Sequence, residues 1–360
     1  MSDTLRLVRI RRSSPAVPSP RSRAVRRQFD IAPRSTRLAI DVQLPAASGD
    51  WRIGAIVGAS GSGKSQVLAA AFPDSLVKPA TWPADRPIVD CLAVGSADEA
   101  AALLSAVGLG SVPAWLRPFH TLSAGEQFRA ELARALSSRR ELVAIDEFTS
   151  CLDRVVARSC CAAVGKFLRQ SGRPRLVIVT CHEDVLPWLA PDWVLRMPSG
   201  RLDWRRLRRP RLAIDVRAGC RALWPHFAPH HYLTHSLHPA AACYAAFVDD
   251  APAAFCATMH NLGWPKWRRV TRLVTHPDYQ GLGLGLALLE LVAEHEARGL
   301  GEERRVSIVT THPALVARLS RSPRWRELWS RSRPHPHRHF EAGRVRDSGH
   351  RERSSFLWLA

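Results

Sequence analysis

The order of elements along the chain predicts an α/β protein of two domains, and three observations carry the prediction. Residues 51–57 form a short buried-strand pattern that enters a glycine-rich turn and then the apolar helical stretch 67–72. Two further apolar runs, 142–145 and 176–180, end abruptly in polar residues, as buried strands of a parallel sheet do. Far downstream, 268–275 leads into a second glycine-rich turn, a helical stretch over 283–298 and another strand at 305–310. A chain of 360 residues accommodates about two domains of roughly 150 residues each.

The elements follow in order. Residues 1–27 are rich in arginine, serine and proline and read as a disordered basic arm. Arg11-Arg12 is not followed by the apolar core that an export signal needs. Between 29 and 45, Ile31, Leu38, Ile40 and Val42 alternate with polar residues and predict one or two short strands. The first domain is expected over 28–204 and closes on a hairpin at 192–202 turning at Ser199-Gly200. A basic linker over 205–210 then leads to a second domain at 211–360. In it, 244–249 and 252–260 flank the Asp249-Asp250 turn as a hairpin. The helix over 283–298 is expected to face its core with Leu284, Leu288, Leu291, Val292 and His295. No internal repeat is visible, and the His- and Arg-rich stretch 331–353 is not assigned an element.

Charge narrows the function classes. Lys plus Arg number 52 against 32 Asp plus Glu, a net charge of +20, and the excess lies outside the middle of the chain. Residues 1–50 hold 10 basic and 4 acidic side chains, 51–200 hold 16 and 14, and 201–360 hold 26 and 14. An exposed basic surface attracts polyanions through counterion release, so DNA or RNA is the expected partner class, against a coding bias that merely favours solvated arginine. No apolar run approaches the ~20 residues of a membrane helix. The eight cysteines form no CxxC pair, so neither a zinc ribbon nor a disulfide scaffold is indicated and a cytoplasmic location is expected.

The octet Gly58-Ala59-Ser60-Gly61-Ser62-Gly63-Lys64-Ser65 fits G-x-x-x-x-G-K-[ST]. Such glycines turn successive backbone N–H groups toward phosphates; Lys64 neutralises them, Ser65 offers a hydroxyl to Mg²⁺, and the following helix start adds positive potential. Asp146 at the end of an apolar strand is placed to hold the metal, and Glu147 to orient and deprotonate a water. Between them stands Leu122-Ser123-Ala124-Gly125-Glu126-Gln127. With this loop the chain resembles the ATP-binding cassette (ABC) ATPases. The resemblance implies a P-loop NTPase fold, ATP and Mg²⁺ as ligands, and a homodimer in which Ser123 and Gly125 cover the nucleotide of a partner subunit. It also makes Ser150-Cys151-Leu152-Asp153 the dimer-contacting loop and His182 the γ-phosphate sensor; outside that family His182 reads as a surface histidine.

Two departures accompany these motifs. Lys64 and Ser123 are only 59 residues apart, short for a transporter cassette, and no glutamine lies between Ala69 and Leu122 to couple the cassette to membrane subunits. Gln66 directly follows the octet and is no substitute; Asp90 is the candidate for that place, and Phe29 is the candidate adenine-stacking aromatic.

The second turn reads Thr275-His276-Pro277-Asp278-Tyr279-Gln280-Gly281-Leu282-Gly283-Leu284-Gly285 and contains Q-x-x-G-x-G before an apolar helix. It resembles motif A of the GNAT N-acyltransferases, an α/β fold. There Gln280, Leu282, Gly283 and Gly285 would belong to the loop whose amides hold the pyrophosphate of acetyl-CoA or another acyl-CoA. The chain has three tyrosines, Tyr232, Tyr244 and Tyr279, and none follows Thr310, where that family's acid usually sits. His312 is either an alternative donor or a helix-capping residue. His230-His231-Tyr232 is either catalytic or an amphipathic surface patch, and a similar His-Tyr pair occurs in acyltransferases that modify DNA bases. The sequence therefore predicts an ABC-type ATPase fused to a GNAT-like acyltransferase. The rivals are the ATP-binding subunit of a transporter and an ATPase with a non-catalytic GNAT-like binding module.

Overall fold

The computed structural model describes residues 5–15, 17–32, 35–78, 80–172, 174–204, 212–231, 235–261, 264–298, 305–331, 338–341, 344–347 and 353–359. The linker expected at 205–210 and Tyr232 lie outside the described residues. The chain divides into two compact units: Met1–Pro79 with Arg139–Ser150 and Leu168–Arg208, and Ala80–Ser138 with Cys151–Phe167 and Arg209–Ala360.

In the first unit, β1 (Leu5–Ser14) and β2 (Thr36–Pro45) pair antiparallel over ten registered positions. This corrects the disordered arm expected over 1–27. Val8 and Ile10 face inward with Ile40, Val42 and Leu44 and join a core containing Trp51 and Trp193. Alternation of Val8 and Ile10 with arginines supplied the strand period, which the arginine content obscured. Helix Pro20–Gln28 follows, capped by Ser19, and buries none of its side chains.

The sheet that positions the first site contains β3 (Ile53–Val57), β4 (Leu142–Ile145), β5 (Arg175–Thr180), β6 (Trp193–Arg196) and β7 (Arg201–Trp204), in the order β4-β5-β3-β6-β7. β4, β5, β3 and β6 run parallel, and β7 returns antiparallel to β6 through the expected Ser199-Gly200 turn. All five residues of β3 are buried, as a central parallel strand requires.

The second unit holds the helices Ala97–Ala106 and Ala124–Ser137 and the first part of Arg154–Ser171. Its strands are β8 (Asp215–Ala218), β9 (Ala242–Val248), β10 (Ala251–Asn261), β11 (Trp264–Thr275), β12 (Arg305–Thr310), β13 (Trp325–Arg331), β14 (Arg338–Glu341), β15 (Arg344–Asp347) and β16 (Arg353–Trp358). Seven make one sheet in the order β13-β16-β12-β11-β10-β9-β8, while β14 and β15 form a separate hairpin inside the unassigned His- and Arg-rich stretch. β11 and β12 are the parallel pair, registered at 267–270 with 305–308. Beyond these residues each strand continues without the other, to Thr275 and Thr310.

Helix Leu284–Ala297 packs on this sheet through Leu284, Leu288, Leu289 and Val292, whereas Leu291 is 47% exposed, so the apolar stripe differs from the expected one. Trp224, Phe227, Phe255 and Val274 form a second cluster. Buried Glu296 lies 3.0 Å from Arg268 Nε and accepts hydrogen bonds from the Tyr244 hydroxyl at 2.9 Å and from Thr258. Burial and the Glu296 charge push the Tyr244 hydroxyl far above its ordinary range, which makes it a structural group. Among the described residues no helix is long and apolar enough to cross a membrane, and no disulfide joins the eight cysteines.

Candidate functional site

Three chemistry-bearing segments leave the carboxyl ends of three neighbouring strands, β4, β5 and β3. Ligands of open α/β sheets bind at such ends, because helix N-termini and connecting loops converge there. The octet leaves β3. Gly58, Gly61 and Gly63 have φ of 148°, 78° and 91°, a backbone that turns amides to one side. At Gly58 a Cβ would come within 2.4 Å of the Met197 carbonyl oxygen, so only glycine fits. Lys64 opens helix Lys64–Ala71, is 9% exposed, and donates from Nζ to the Ala59 carbonyl at 2.7 Å. The ammonium is thereby held against the loop it would serve. Ser62 Oγ is buried with no hydrogen-bond partner among the described residues, an orphan that a phosphate oxygen would satisfy.

Asp146 and Glu147 leave β4. The Glu147 N–H donates to Asp146 Oδ1 at 2.9 Å and its side chain is exposed. Glu147 and Thr149 adopt φ of 50° and 64°, left-handed values that cost non-glycine residues energy and cluster at functional sites. His182 leaves β5, its N–H donating to Thr180 Oγ1 at 3.1 Å. Ser65, exposed at the helix start, and the Asp146 carboxylate supply hard oxygen donors that fit Mg²⁺. Gln66 lies on the same helix, and Phe29 is 64% exposed just after Pro20–Gln28.

The other expected nucleotide residues belong to the second unit. Ser123 caps helix Ala124–Ser137 reciprocally with Glu126: the Ser123 N–H donates to Glu126 Oε2 at 2.9 Å, and the Glu126 N–H to Ser123 Oγ at 3.4 Å. Ser123 is exposed at this N-terminus, and Gly125 lies against Leu152 and Val156. Asp153 Oδ1 accepts from the N–H groups of Val155 and Val156 at 2.9 and 3.0 Å, starting helix Arg154–Ser171. Asp90 lies exposed in the single turn Ile88–Cys91.

The second glycine turn caps helix Leu284–Ala297, with Gly281 and Gly283 at φ of 92° and 87°. Around Gly283 the space is open, and the first-turn amides of the helix have no intrahelical acceptor, so they are available to an anion. Gly285 lies close to Thr275 Oγ1, and Leu282 packs against the sheet core. The Gln280 side chain is already engaged: Oε1 accepts from the Gly110 N–H at 2.6 Å and Nε2 donates to the Thr275 carbonyl at 3.2 Å. Both ends of its side-chain amide thereby fix the turn to segment 108–110 and to the end of β11.

Beside this turn three histidines converge. His226 and His276 stack in parallel with ring centroids 4.8 Å apart, and His230 meets His276 edge-on at 4.9 Å. His276 Nδ1 also lies 3.5 Å from Asp278 Oδ2. Burial holds both His230 and His276 below the usual histidine range; His276 and His226 lower His230 further, while Asp278 and Glu126 oppose the shift. Of the three, only His230 stands in the His230-His231-Tyr232 cluster that marks candidate catalytic groups in the sequence. The signals for the others were present: His276 directly precedes Pro277, and His226 stands four residues before His230. His231 is buried edge-on to Trp224. His312 stands at the N-cap of Pro313–Leu319 without a side-chain cap bond; its ring lies 6.0 Å from Trp115, and burial pushes its pKa down.

Residues 204–318 match the acetyltransferase (GNAT) family. The N-terminal half is similar to ABC-type ATP-binding proteins. A putative ABC transporter ATP-binding protein of Nostoc sp. is 35% identical over 24% of this chain and 30% of its own. The aliphatic sulfonates import ATP-binding protein SsuB 2 of Frankia alni is 40% identical over 29% of this chain and 42% of its own. The chain thus spans less than half the length of these curated relatives. Among solved structures, the ribosomal-protein-S18-alanine N-acetyltransferase from Escherichia coli is 19% identical, with a TM-score of 0.31 over 41% of this chain and 93% of that one.

Proposed function

We propose that the chain is an ATP-hydrolysing ABC-type ATPase joined to a GNAT acyltransferase that acts on a nucleic acid or a nucleic-acid-bound substrate. The observation that carries the reading is the convergence of the Lys64 loop, Asp146-Glu147 and His182 at the ends of β3, β4 and β5. ATP phosphates lie in the octet with Lys64 as counter-charge, and Glu147 accepts a proton from the attacking water while His182 faces the γ-phosphate. Ser65 and Asp146 would hold Mg²⁺, which supplies charge neutralisation at the phosphates. Ser123, Gly125 and Asp153 serve the nucleotide of a second copy, so the active ATPase is a homodimer.

In the acyltransferase part, the amides at 282–286 take the pyrophosphate of acetyl-CoA or another acyl-CoA, whose chain follows the opening between β11 and β12. The acceptor amine attacks the thioester carbonyl, the C–S bond breaks, and the proton lost by the amine ends on the departing thiol. The histidines at 226, 230 and 276 are the groups placed to relay that proton. The basic N-terminal elements support a polyanionic partner: Arg9, Arg12, Arg21, Arg23 and Arg27 are all exposed.

The test is steady-state ATP turnover of the full chain, with Glu147→Gln as blank, alone and with duplex DNA, single-stranded DNA or RNA at moderate salt. Turnover above the blank that one nucleic acid stimulates is the expected result. Turnover equal to the blank overturns the ATPase, and turnover indifferent to all three overturns the nucleic-acid part.

A further inference from the structure

Arg129 is 3% exposed, a depth at which a guanidinium is costly unless its donors are used. Its hydrogen bonds run to three main-chain carbonyls. Nε donates to Gly125 at 3.0 Å, and one terminal nitrogen donates to Gly108 at 2.9 Å and to Pro277 at 3.1 Å. Gly125 lies in the first turn of Arg129's own helix, next to the Ser123 cap read as reaching a partner's nucleotide, whereas Pro277 begins the turn read as holding acyl-CoA. A single buried side chain therefore ties the first turn of this helix to the second glycine turn, backbone to backbone.

Neighbouring contacts leave that tie little slack. Gln280 clasps the Gly110 N–H, bringing segment 108–110 onto the same turn. A Cβ at Gly281 would come within 2.5 Å of Ala163 Cβ and 3.2 Å of the Ser159 carbonyl oxygen, so the turn lies directly on helix Arg154–Ser171. That helix begins at Asp153, the other residue read as dimer-facing. At the edge, Arg158 pairs with Asp249 at 3.3 Å. Close-packed groups tied to one another by hydrogen bonds do not deform independently.

We propose that Arg129 and Gln280 are positioning residues that couple nucleotide to acyl-CoA: closure of Ser123–Gly125 on a partner's ATP resets the Pro277–Gly285 turn and changes its affinity for acyl-CoA. The inference rests on the reading of that turn as the acyl-CoA loop. Neither residue touches a reacting atom; each acts through the backbone it holds. Coupling of this kind is reciprocal, so acyl-CoA changes the affinity for ATP by the same factor.

The experiment is calorimetric titration of acetyl-CoA into the full chain, with and without a saturating non-hydrolysable ATP analogue and Mg²⁺. The reverse titration measures the analogue with and without acetyl-CoA. The expected result is a shift in dissociation constant of about fivefold or more, equal in both directions. In Arg129→Lys, which keeps the charge but cannot span three carbonyls, the ratio falls toward one while both ligands still bind. Gln280→Leu, of similar volume without the amide, gives the same loss by an independent route. Equal acetyl-CoA affinity with and without the analogue, both ligands binding, overturns the coupling alone. Absence of acetyl-CoA binding in either state overturns the acyl-CoA reading and the coupling with it. A wild-type ratio in both variants removes the positioning role from Arg129 and Gln280.

Discussion

Glu147 holds a left-handed backbone, with φ of 50°, two residues past a strand whose first three residues are buried. An L-residue there costs on the order of 1 kcal/mol, and hydrogen bonds from Phe148 to the Val179 carbonyl and from Ser150 to the Glu147 carbonyl hold the turn. Glutamine keeps the shape of the side chain and removes the base. Glu147→Gln is therefore expected to bind ATP and to hydrolyse it about 10²–10⁴ times more slowly, by single-turnover kinetics. Wild-type turnover would take the base role from Glu147. Gly58 makes a stricter point, because its φ of 148° and the Met197 carbonyl 2.4 Å from an added Cβ both exclude a side chain. Gly58→Ala is expected to cost more than about 1 kcal/mol and to lower the midpoint of thermal unfolding by several degrees. An unchanged midpoint would mean that the loop yields. The octet and Asp146 stand out in the sequence because phosphate binding asks for both residue type and spacing. Arg129 does not: a buried arginine binding carbonyls leaves no spacing signal, and its partners Gly108 and Pro277 are 21 and 148 residues away.

Strands 142–145 and 305–310 were readable to the residue, the first as an unbroken apolar run with polar ends, the second as Val306, Ile308 and Val309 between Arg305 and Thr310. The N-terminal strand and helix were not, because arginine dominates both and only Val8 and Ile10 report the inward face. Helix Pro20–Gln28 is the more telling case. Nine residues with nothing buried and no acidic residue in the first turn make a marginal helix in water, held locally by the Ser19–Ser22 capping box. Arg23, Arg26 and Arg27 lie on one face at i, i+3 and i+4, which matches a phosphate backbone. Replacing all three with glutamine is expected to weaken duplex DNA binding and to flatten its salt dependence by about 0.9 in log–log slope for each lost phosphate contact. Since the helix buries no side chain, the unfolding midpoint stays put. An unchanged slope would move the polyanion site to another basic surface.

The second unit carries titrating groups whose protonation works against its packing. Burial is the first cause of the lowered pKa at His230, His276 and His312, so folding favours the neutral form of each. Around His230 the like-charged neighbours are His276 and His226, opposed by Asp278 and Glu126; His276 faces Asp278 and His226. With the folded pKa below 6.5, the unfolded chain binds more protons as the pH drops past that value. The stabilisation is thus complete above about pH 6.5 and is lost as the pH falls through the folded pKa. Thermal unfolding between pH 7.5 and 5 is expected to show a falling midpoint, and His276→Gln to reduce that fall. A flat profile would mean that the histidines stay hydrated.

At the scale of the whole molecule, the first unit holds Lys64, Asp146, Glu147 and His182, and the second holds Ser123, Gly125 and Asp153. If a nucleotide is enclosed by the first set of one copy and the second set of another, no chain hydrolyses ATP alone, and damage to the two sets is complementary. Lys64→Ala removes the phosphate counter-charge from a chain's own site, while Ser123→Arg blocks only the site it would complete in its partner. Each variant alone is expected to be inactive. Mixed in equal amounts, half the dimers are heterodimers with one intact composite site, and turnover returns to roughly a quarter of wild type for independent sites in a two-fold dimer. Activity should also fall on dilution, as the dimer dissociates. Failure of the mixture to recover, with heterodimers verified by mass, would place the whole nucleotide site within one chain and make Ser123 a helix cap and nothing more.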